Sequence, residues 1–309
     1  MEKFICWSPQ PLWGIPQQLP EQWQWIFGPL SPDLYPLVTG LILNGSDGYY
    51  DGQRLALWPS LRVISSYGIG YDHINVKEAR SRGVIVTHTP DAVTQSTAEL
   101  ALALTLGLIR RLIPYDRETR SAGRVLTGSN TGLSHELFGK TVGILGYGRI
   151  GQTIARLLAP FGVSIQYTRQ HGPHPSNPDQ FVSFDHLLTT SDIIIAIVPL
   201  TTDTHHLIGQ HEFEKMKPGG FIVNVGRGPL IDENALVLAL ESGQLAGAAL
   251  DVYENEPIIH PGLLQRDDVI LSPHRGTSTF ETRERMTTMA IDNLVHALTG
   301  TPVREVPPN

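Results

Sequence analysis

Cysteine is almost missing from this chain, and so is any long apolar run. Cys6 is the single cysteine, which excludes an internal disulfide framework and fits a reducing compartment. The longest apolar stretch, "ALALTLGLI" at 101–109, falls well short of the roughly 20 residues that cross a bilayer, and the amino-terminal apolar run is too short for a secretory signal. The expectation is a cytoplasmic protein with no membrane partner. Positive charge is also scarce: a formal net charge of -7 leaves no footprint for a nucleic acid or an anionic surface. Only 17% of residues are charged against 41% hydrophobic, which excludes a disordered chain, and 309 residues suffice for two domains with separate cores.

Histidine is plentiful, at 12 residues, yet the pairs His171/His174 and His205/His206 lie in Pro- and Thr-rich loops without a Cys partner or a helical His-x-x-x-His spacing. They are read as solvated loop residues, and no metal is expected.

From about residue 140 short apolar runs alternate with amphipathic stretches, the pattern of parallel strands joined by crossover helices. Strands are predicted at "TVGILG" (141–146), "SIQYT" (164–168), "IIIAIVP" (193–199), "FIVNVG" (221–226), "AGAALDV" (246–252) and "VILS" (269–272). Helices are predicted at "IGQTIARLLAPFG", at "SFDHLLTTS" with Ser183 as its cap, and at "DENALVLALESG". The first ninety residues repeat the theme more weakly, with strands at "FICWS", "GLILN", "LRVISS" and "VIVTH"; Pro9, Pro11, Pro16 and Pro20 interrupt the rest. One long helix is predicted over about 94–122, where Leu100, Leu104 and Leu108 recur every four residues, and another over 279–298. A chain that leaves a domain by one long helix and returns by another suggests an inserted nucleotide domain, at 94–281, within a discontinuous domain of residues 1–93 and 282–309.

"GYGRIG" opens the second half. Gly146 permits a tight turn, Gly148 lets backbone approach a pyrophosphate and Gly151 lets helix pack on strand, while the helix start offers amides to phosphate. The strand that follows ends in Thr168 and Arg169, where an acid would hold the ribose hydroxyls of NAD and repel the extra phosphate of NADP. Arg169 suits a 2′-phosphate, so NADP(H) is the preferred cofactor and NAD(H) the second. The alternative, a solvated turn arginine, stays open.

Three residues lie just past successive strands: Arg227 in "NVGRGPLID", Glu256 in "DVYENEP" and His274 in "LSPHRGTS". Groups beyond the carboxyl ends of such strands share one crevice with the nucleotide. Their types suit reduction of a 2-oxo acid. Arg227 grips the carboxylate and leans on the carbonyl oxygen, His274 supplies the proton, and Glu256 favours the charged, donating imidazole.

Through "LRVISSYGIGYDHINVKEARSRGVIVTHTPD", "GKTVGILGYGRIG", "MKPGGFIVNVGRGPLIDENAL", "GAALDVYENEP" and "SPHRGT", most of the chain resembles the D-isomer-specific 2-hydroxyacid dehydrogenases. It looks most like the NADPH-dependent glyoxylate/hydroxypyruvate and hydroxyphenylpyruvate reductases. The resemblance implies an α/β protein of two doubly wound parallel-sheet domains, a Rossmann domain inserted in a flavodoxin-like substrate domain that closes over the substrate, assembled as a homodimer. It implies that Arg227, Glu256 and His274 are catalytic and that the amides of Ile69 and Gly70 hold the substrate carboxylate. Thr97, Arg149, Ile150, Val198, Pro199, Val225 and Asp251 match positions lining the cofactor. Arg275 stands where the family usually has an aliphatic residue, and His88 replaces a common Asn. Two alternatives remain: a non-catalytic dinucleotide sensor on the same scaffold, and a dehydrogenase for another substrate such as phosphite, which Ile69 disfavours because phosphite dehydrogenases carry a lysine there.

Overall fold

The computed structural model describes residues 4–16, 19–125 and 132–307. The chain divides into two compact units, Met1–Thr94 with Thr277–Asn309, and Gln95–Gly276. The second crossing falls at 276/277, where the helix pattern placed it at 281/282.

In the first unit five strands, β1 (Ile5–Ser8), β2 (Gln24–Phe27), β3 (Gly40–Leu43), β4 (Val63–Ser66) and β5 (Ile85–Thr87), form a parallel sheet of order β2-β1-β3-β4-β5. This is the flavodoxin-like order. β3 and β4 are buried throughout, which is why they read as continuous apolar or small-residue runs. The helix Phe280–Thr299 packs on both, capped by Thr279 Oγ1, which accepts from the Thr282 amide at 3.2 Å, and closed by Gly300 at φ 79°. A Cβ at Gly40 would stand 3.3 Å from Leu294 Cδ2, so the glycine lets this helix settle on the sheet. β2 was not among the expected strands.

The second unit holds β6 (Thr141–Leu145), β7 (Ser164–Thr168), β8 (Ile193–Ala196), β9 (Gly220–Asn224), β10 (Leu245–Leu250) and β11 (Val269–Leu271), all parallel, in the order β11-β10-β9-β8-β6-β7. A parallel bridge between Tyr167 and Phe181 adds a one-residue strand outside β7. With it the sheet runs in the Rossmann order, and the order reverses between β6 and β8, the switch point where ligands bind. The helices Arg149–Leu158, Phe184–Thr190 and Glu233–Glu241 stand where predicted. Ser183 caps the second by accepting from the His186 amide at 3.2 Å, and Asp232 caps the third. Each unit has its own core, around Leu41, Ile64 and Trp58 in the first and Ile194, Ile222 and Leu236 in the second.

The predicted helix over 94–122 is two helices, Thr94–Ile109 and Leu112–Ala122. Arg111 adopts a left-handed φ of 51° between them. Pro114 explains the break: it has no amide to donate to the Arg110 carbonyl, and its ring clashes with that group in a continuous helix, so it falls in the first turn of a new one. Among the described residues no helix is long and apolar enough to cross a membrane.

Candidate active site

The turn after β6 gives each glycine a separate physical reason. Gly146 has φ 107°, and a Cβ there would lie 2.7 Å from the Ile197 carbonyl oxygen and 2.9 Å from Val198 Cγ1. Its amide donates to the Thr168 carbonyl at 3.0 Å. A Cβ on Gly151 would stand 2.1 Å from the Gly146 carbonyl oxygen, so helix and strand can approach only through glycine. Gly148 differs: its φ of -82° suits any residue, and a Cβ would meet nothing within 4 Å. No internal packing asks for glycine at 148. The space it leaves lies at the start of the Arg149–Leu158 helix, whose first turn no side chain caps, the arrangement that receives a dinucleotide pyrophosphate.

These reasons separate in two substitutions. Gly151→Ala should lower the melting temperature, by about 1–3 kcal/mol of stability, because backbone must shift. Gly148→Ala should leave melting of the free protein nearly unchanged yet weaken dinucleotide binding in calorimetry. A Gly148→Ala protein that binds normally would remove the pyrophosphate from this turn.

Thr168 is buried at the end of β7, and Arg169 follows, partly exposed. Among the described residues no hydrogen bond or ion pair engages the Arg169 guanidinium. Val198 and Pro199 extend β8 past its last paired residue, and the Pro199 carbonyl accepts from Thr204 Oγ1 at 2.8 Å. Val225 extends β9, donating its amide to the Ala196 carbonyl at 3.2 Å. Arg149 and Ile150 open the glycine-turn helix.

Past β9, β10 and β11 the structure brings the three expected side chains together through Glu256. Its Oε2 lies 2.9 Å from His274 Nδ1, and its Oε1 accepts from the Tyr253 amide at 3.1 Å. Burial pushes the Glu256 carboxyl up, but the His274 contact, the Tyr253 amide and the nearby Arg227 charge outweigh it, so the group lies below the usual carboxylate value. An ionised carboxylate only accepts, which places a proton on Nδ1 and turns Nε2 toward whatever the imidazole serves. Arg227 directs Nη1 to the Gly226 carbonyl at 2.9 Å, while Asn224 holds the turn from both ends, accepting from the Gly226 amide and donating to the Arg227 carbonyl.

His274 adopts φ 53°, unusual for a residue with a Cβ. Asp251, buried at the end of β10, holds that conformation from below. Its Oδ1 accepts from Ser272 Oγ at 2.5 Å and the Arg275 amide at 2.6 Å, and its Oδ2 from the Gly276 amide at 2.8 Å. Thr97 adds a bond to the Gly276 carbonyl at 3.4 Å. Both residues, expected along the cofactor, make these bonds to the His274 segment.

In the first unit, Gly68 takes φ 153°, His88 Nδ1 lies 2.9 Å from the Ile69 carbonyl, and Ser66 Oγ donates to the Gly70 carbonyl at 2.7 Å. The Gly68 carbonyl accepts from the Thr89 amide at 2.9 Å, so all three carbonyls of the "GIG" loop are held, which orients its peptides. His88 is a loop brace here.

The solvated-loop reading fails for two histidines, His174, whose ring meets Tyr147 with centroids 5.9 Å apart, and His206. His206 is not a solvated loop residue: its Nε2 lies 2.7 Å from Glu254 Oε1, and its amide donates to the Pro229 carbonyl. Glu254 in turn exchanges hydrogen bonds with the first turn of the Glu233–Glu241 helix, accepting from the Glu233 amide and donating to Glu233 Oε1. This lattice ties together the loops that carry Arg227 and Glu256. Its partners lie 48 residues apart, so no local pattern announced it. Among the described residues no group of three or more His, Cys, Asp or Glu side chains could hold a metal.

Comparison with known proteins bears on the family and the fold. Residues 102–276 match the model of the D-isomer specific 2-hydroxyacid dehydrogenase NAD-binding domain. A glyoxylate reductase of Thermococcus gammatolerans is 42% identical over 265 residues, 84% of this chain and 78% of that protein. Among solved structures, a glyoxylate reductase from Paecilomyes thermophila superposes with a TM-score of 0.87 at 34% identity, covering 99% of each chain. An NADPH-dependent glyoxylate/hydroxypyruvate reductase from Sinorhizobium meliloti, in complex with NADP and malonate, gives 0.83 at 32% identity, covering 96% of this chain and 94% of that one. With two parallel-sheet units, a glycine turn at a switch point and these relatives, the chain belongs to the D-isomer-specific 2-hydroxyacid dehydrogenases and is an NAD(P)-dependent oxidoreductase.

Proposed function

We propose that this enzyme reduces a small 2-oxo acid of the glyoxylate, hydroxypyruvate or hydroxyphenylpyruvate type to the D-2-hydroxy acid, with NADPH as the preferred reductant, acting as a cytoplasmic homodimer. The observation that carries the reading is Glu256: one carboxylate, held ionised, that binds His274 at 2.9 Å and feels the charge of Arg227. A nicotinamide supplies the hydride when bound. His274 Nε2 donates the proton that the carbonyl oxygen acquires, with Glu256 stabilising the imidazolium before transfer. Arg227 presents a fork of donors to the substrate carboxylate and stabilises the growing oxyanion. The amides of Ile69 and Gly70 enter this reading as further donors to the carboxylate. Names of the relatives, glyoxylate reductase and glyoxylate/hydroxypyruvate reductase, support the substrate class.

Cofactor choice rests on Thr168 and Arg169. A carboxylate is absent from the end of β7, and Arg169 is a cation that no described residue engages. Arg169→Ala should weaken NADPH by roughly ten- to a hundredfold, the worth of a charge-assisted contact, and NADH far less. The deciding experiment is a matrix of NADPH and NADH against glyoxylate, hydroxypyruvate, hydroxyphenylpyruvate, phenylpyruvate and pyruvate, with product chirality determined. An L-configured product, or no turnover of any of these acids, would sink the proposal, and light scattering tests the dimer.

A further inference from the structure

The loop 169–177 begins with Arg169 and ends at the single turn Pro178–Gln180. β7 fixes where the arginine leaves the sheet but not where its guanidinium points. That depends on the loop that walls it, and the loop's far limb is bolted to two tyrosines.

Tyr167, on β7 and fully buried, accepts through Oη from the His174 amide at 2.6 Å and donates to the Asn177 carbonyl at 3.0 Å. Tyr147, the residue between Gly146 and Gly148, stacks on Tyr167 with centroids 3.7 Å apart and planes 11° from parallel. Its own Oη donates to Asn177 Oδ1 at 3.3 Å, and its edge meets the His174 ring at 5.9 Å. Asn177 closes the limb by donating its amide to the His174 carbonyl at 3.1 Å. Burial, then the adjoining Tyr167, push the Tyr147 phenol up, which keeps it a donor. Both ends of this clamp have a use. Tyr147 lies inside the turn that receives pyrophosphate, and His174 and Asn177 lie in the loop that begins with the 2′-phosphate cation.

We propose that Tyr147 is a positioning residue for cofactor choice: by joining the glycine turn to the 169–177 loop through Tyr167, His174 and Asn177, it fixes the spacing between the pyrophosphate site and a 2′-phosphate subsite built on Arg169. This rests on the NADPH reading above. NADP(H) carries both groups at a set separation, so a fixed spacing spares the ordering of the loop that binding otherwise requires. NAD(H) has no 2′-phosphate and gains nothing from the loop's position.

The test uses Asn177→Ala and Tyr147→Phe, which cut the same bond from opposite sides, with Tyr147→Phe keeping the stacked ring. Dissociation constants for NADPH and NADH are measured by calorimetry on the whole protein, beside KM values and thermal melts. The NADPH dissociation constant should rise roughly two- to tenfold in each variant, the worth of one hydrogen bond, with that for NADH moving far less. In an Arg169→Ala background, where the phosphate partner is gone, either substitution should add nothing, because residues acting through one contact are non-additive. Equal weakening of both cofactors, or a loss that persists undiminished in that background, would show that the clamp serves the fold alone. If Arg169→Ala by itself leaves the NADPH-to-NADH ratio unchanged, the subsite reading falls and the proposal with it. If Arg169→Ala shifts the ratio and neither clamp variant does, the clamp alone is refuted.

Discussion

His274→Ala should lower kcat/KM for 2-oxo acid reduction by about 10²- to 10⁴-fold, the usual worth of a positioned proton donor. The loss should fall on kcat, since in the proposed role the imidazole acts on charge that develops only in the transition state. The residue is half-exposed, with 50% of its side chain accessible, so little packing is lost. Its left-handed φ of 53° is a separate matter, because alanine tolerates that conformation poorly. His274→Asn answers this objection. Asparagine suits the left-handed region and carries no group that can donate a proton at neutral pH. Both variants should fail alike in turnover, with Asn melting closer to the parent. Near-normal kcat/KM in the Asn variant would remove His274 from the chemistry. Glu256→Gln refines the test: it keeps a hydrogen-bond acceptor for His274 Nδ1 and removes the carboxylate charge beside the imidazole, so kcat should fall while the fold persists.

Arg227→Ala should cost roughly a hundred- to a thousandfold in kcat/KM, the range seen when one donor to a developing oxyanion is removed. Both parameters should move, because in the proposed role the guanidinium serves carboxylate binding and carbonyl polarisation together. Arg227→Lys discriminates between charge and shape. A lysine restores the cation but not the planar fork, so it should recover KM in part while kcat stays low. Full recovery by lysine would mean that the residue acts as a point charge only. Steady-state kinetics over a range of 2-oxo acid concentrations decides it.

Much of this was legible in the sequence because parallel strands buried on both faces read as short continuous apolar runs. β6 to β11 stand within a few residues of their predicted places for that reason. The predicted ends ran long in "IIIAIVP" and "FIVNVG", since Val198 and Val225 are apolar yet stand beyond the last ladder pair of β8 and β9. β2 escaped notice because prolines crowd the approach to it, although Trp23, Trp25 and Phe27 alternate at strand spacing and stack in a row at 5.9 Å and 6.4 Å. The kink at Arg111 was hidden because leucine spacing carries smoothly across it, and only Pro114 signalled a stop. Arg227, Glu256 and His274 could be singled out because each follows a strand. The His206–Glu254 pair and the Tyr147 clamp could not, since their meaning lies in contacts between loops distant in sequence.

Asp251 makes its side-chain bonds to Ser272, Arg275 and Gly276. All of them close within one unit of the chain, so the imidazole is aimed by folding itself. The rotational freedom that a loosely hung donor would surrender at every turnover is given up once, as the polypeptide folds, and the proposed reaction begins from an aligned acid.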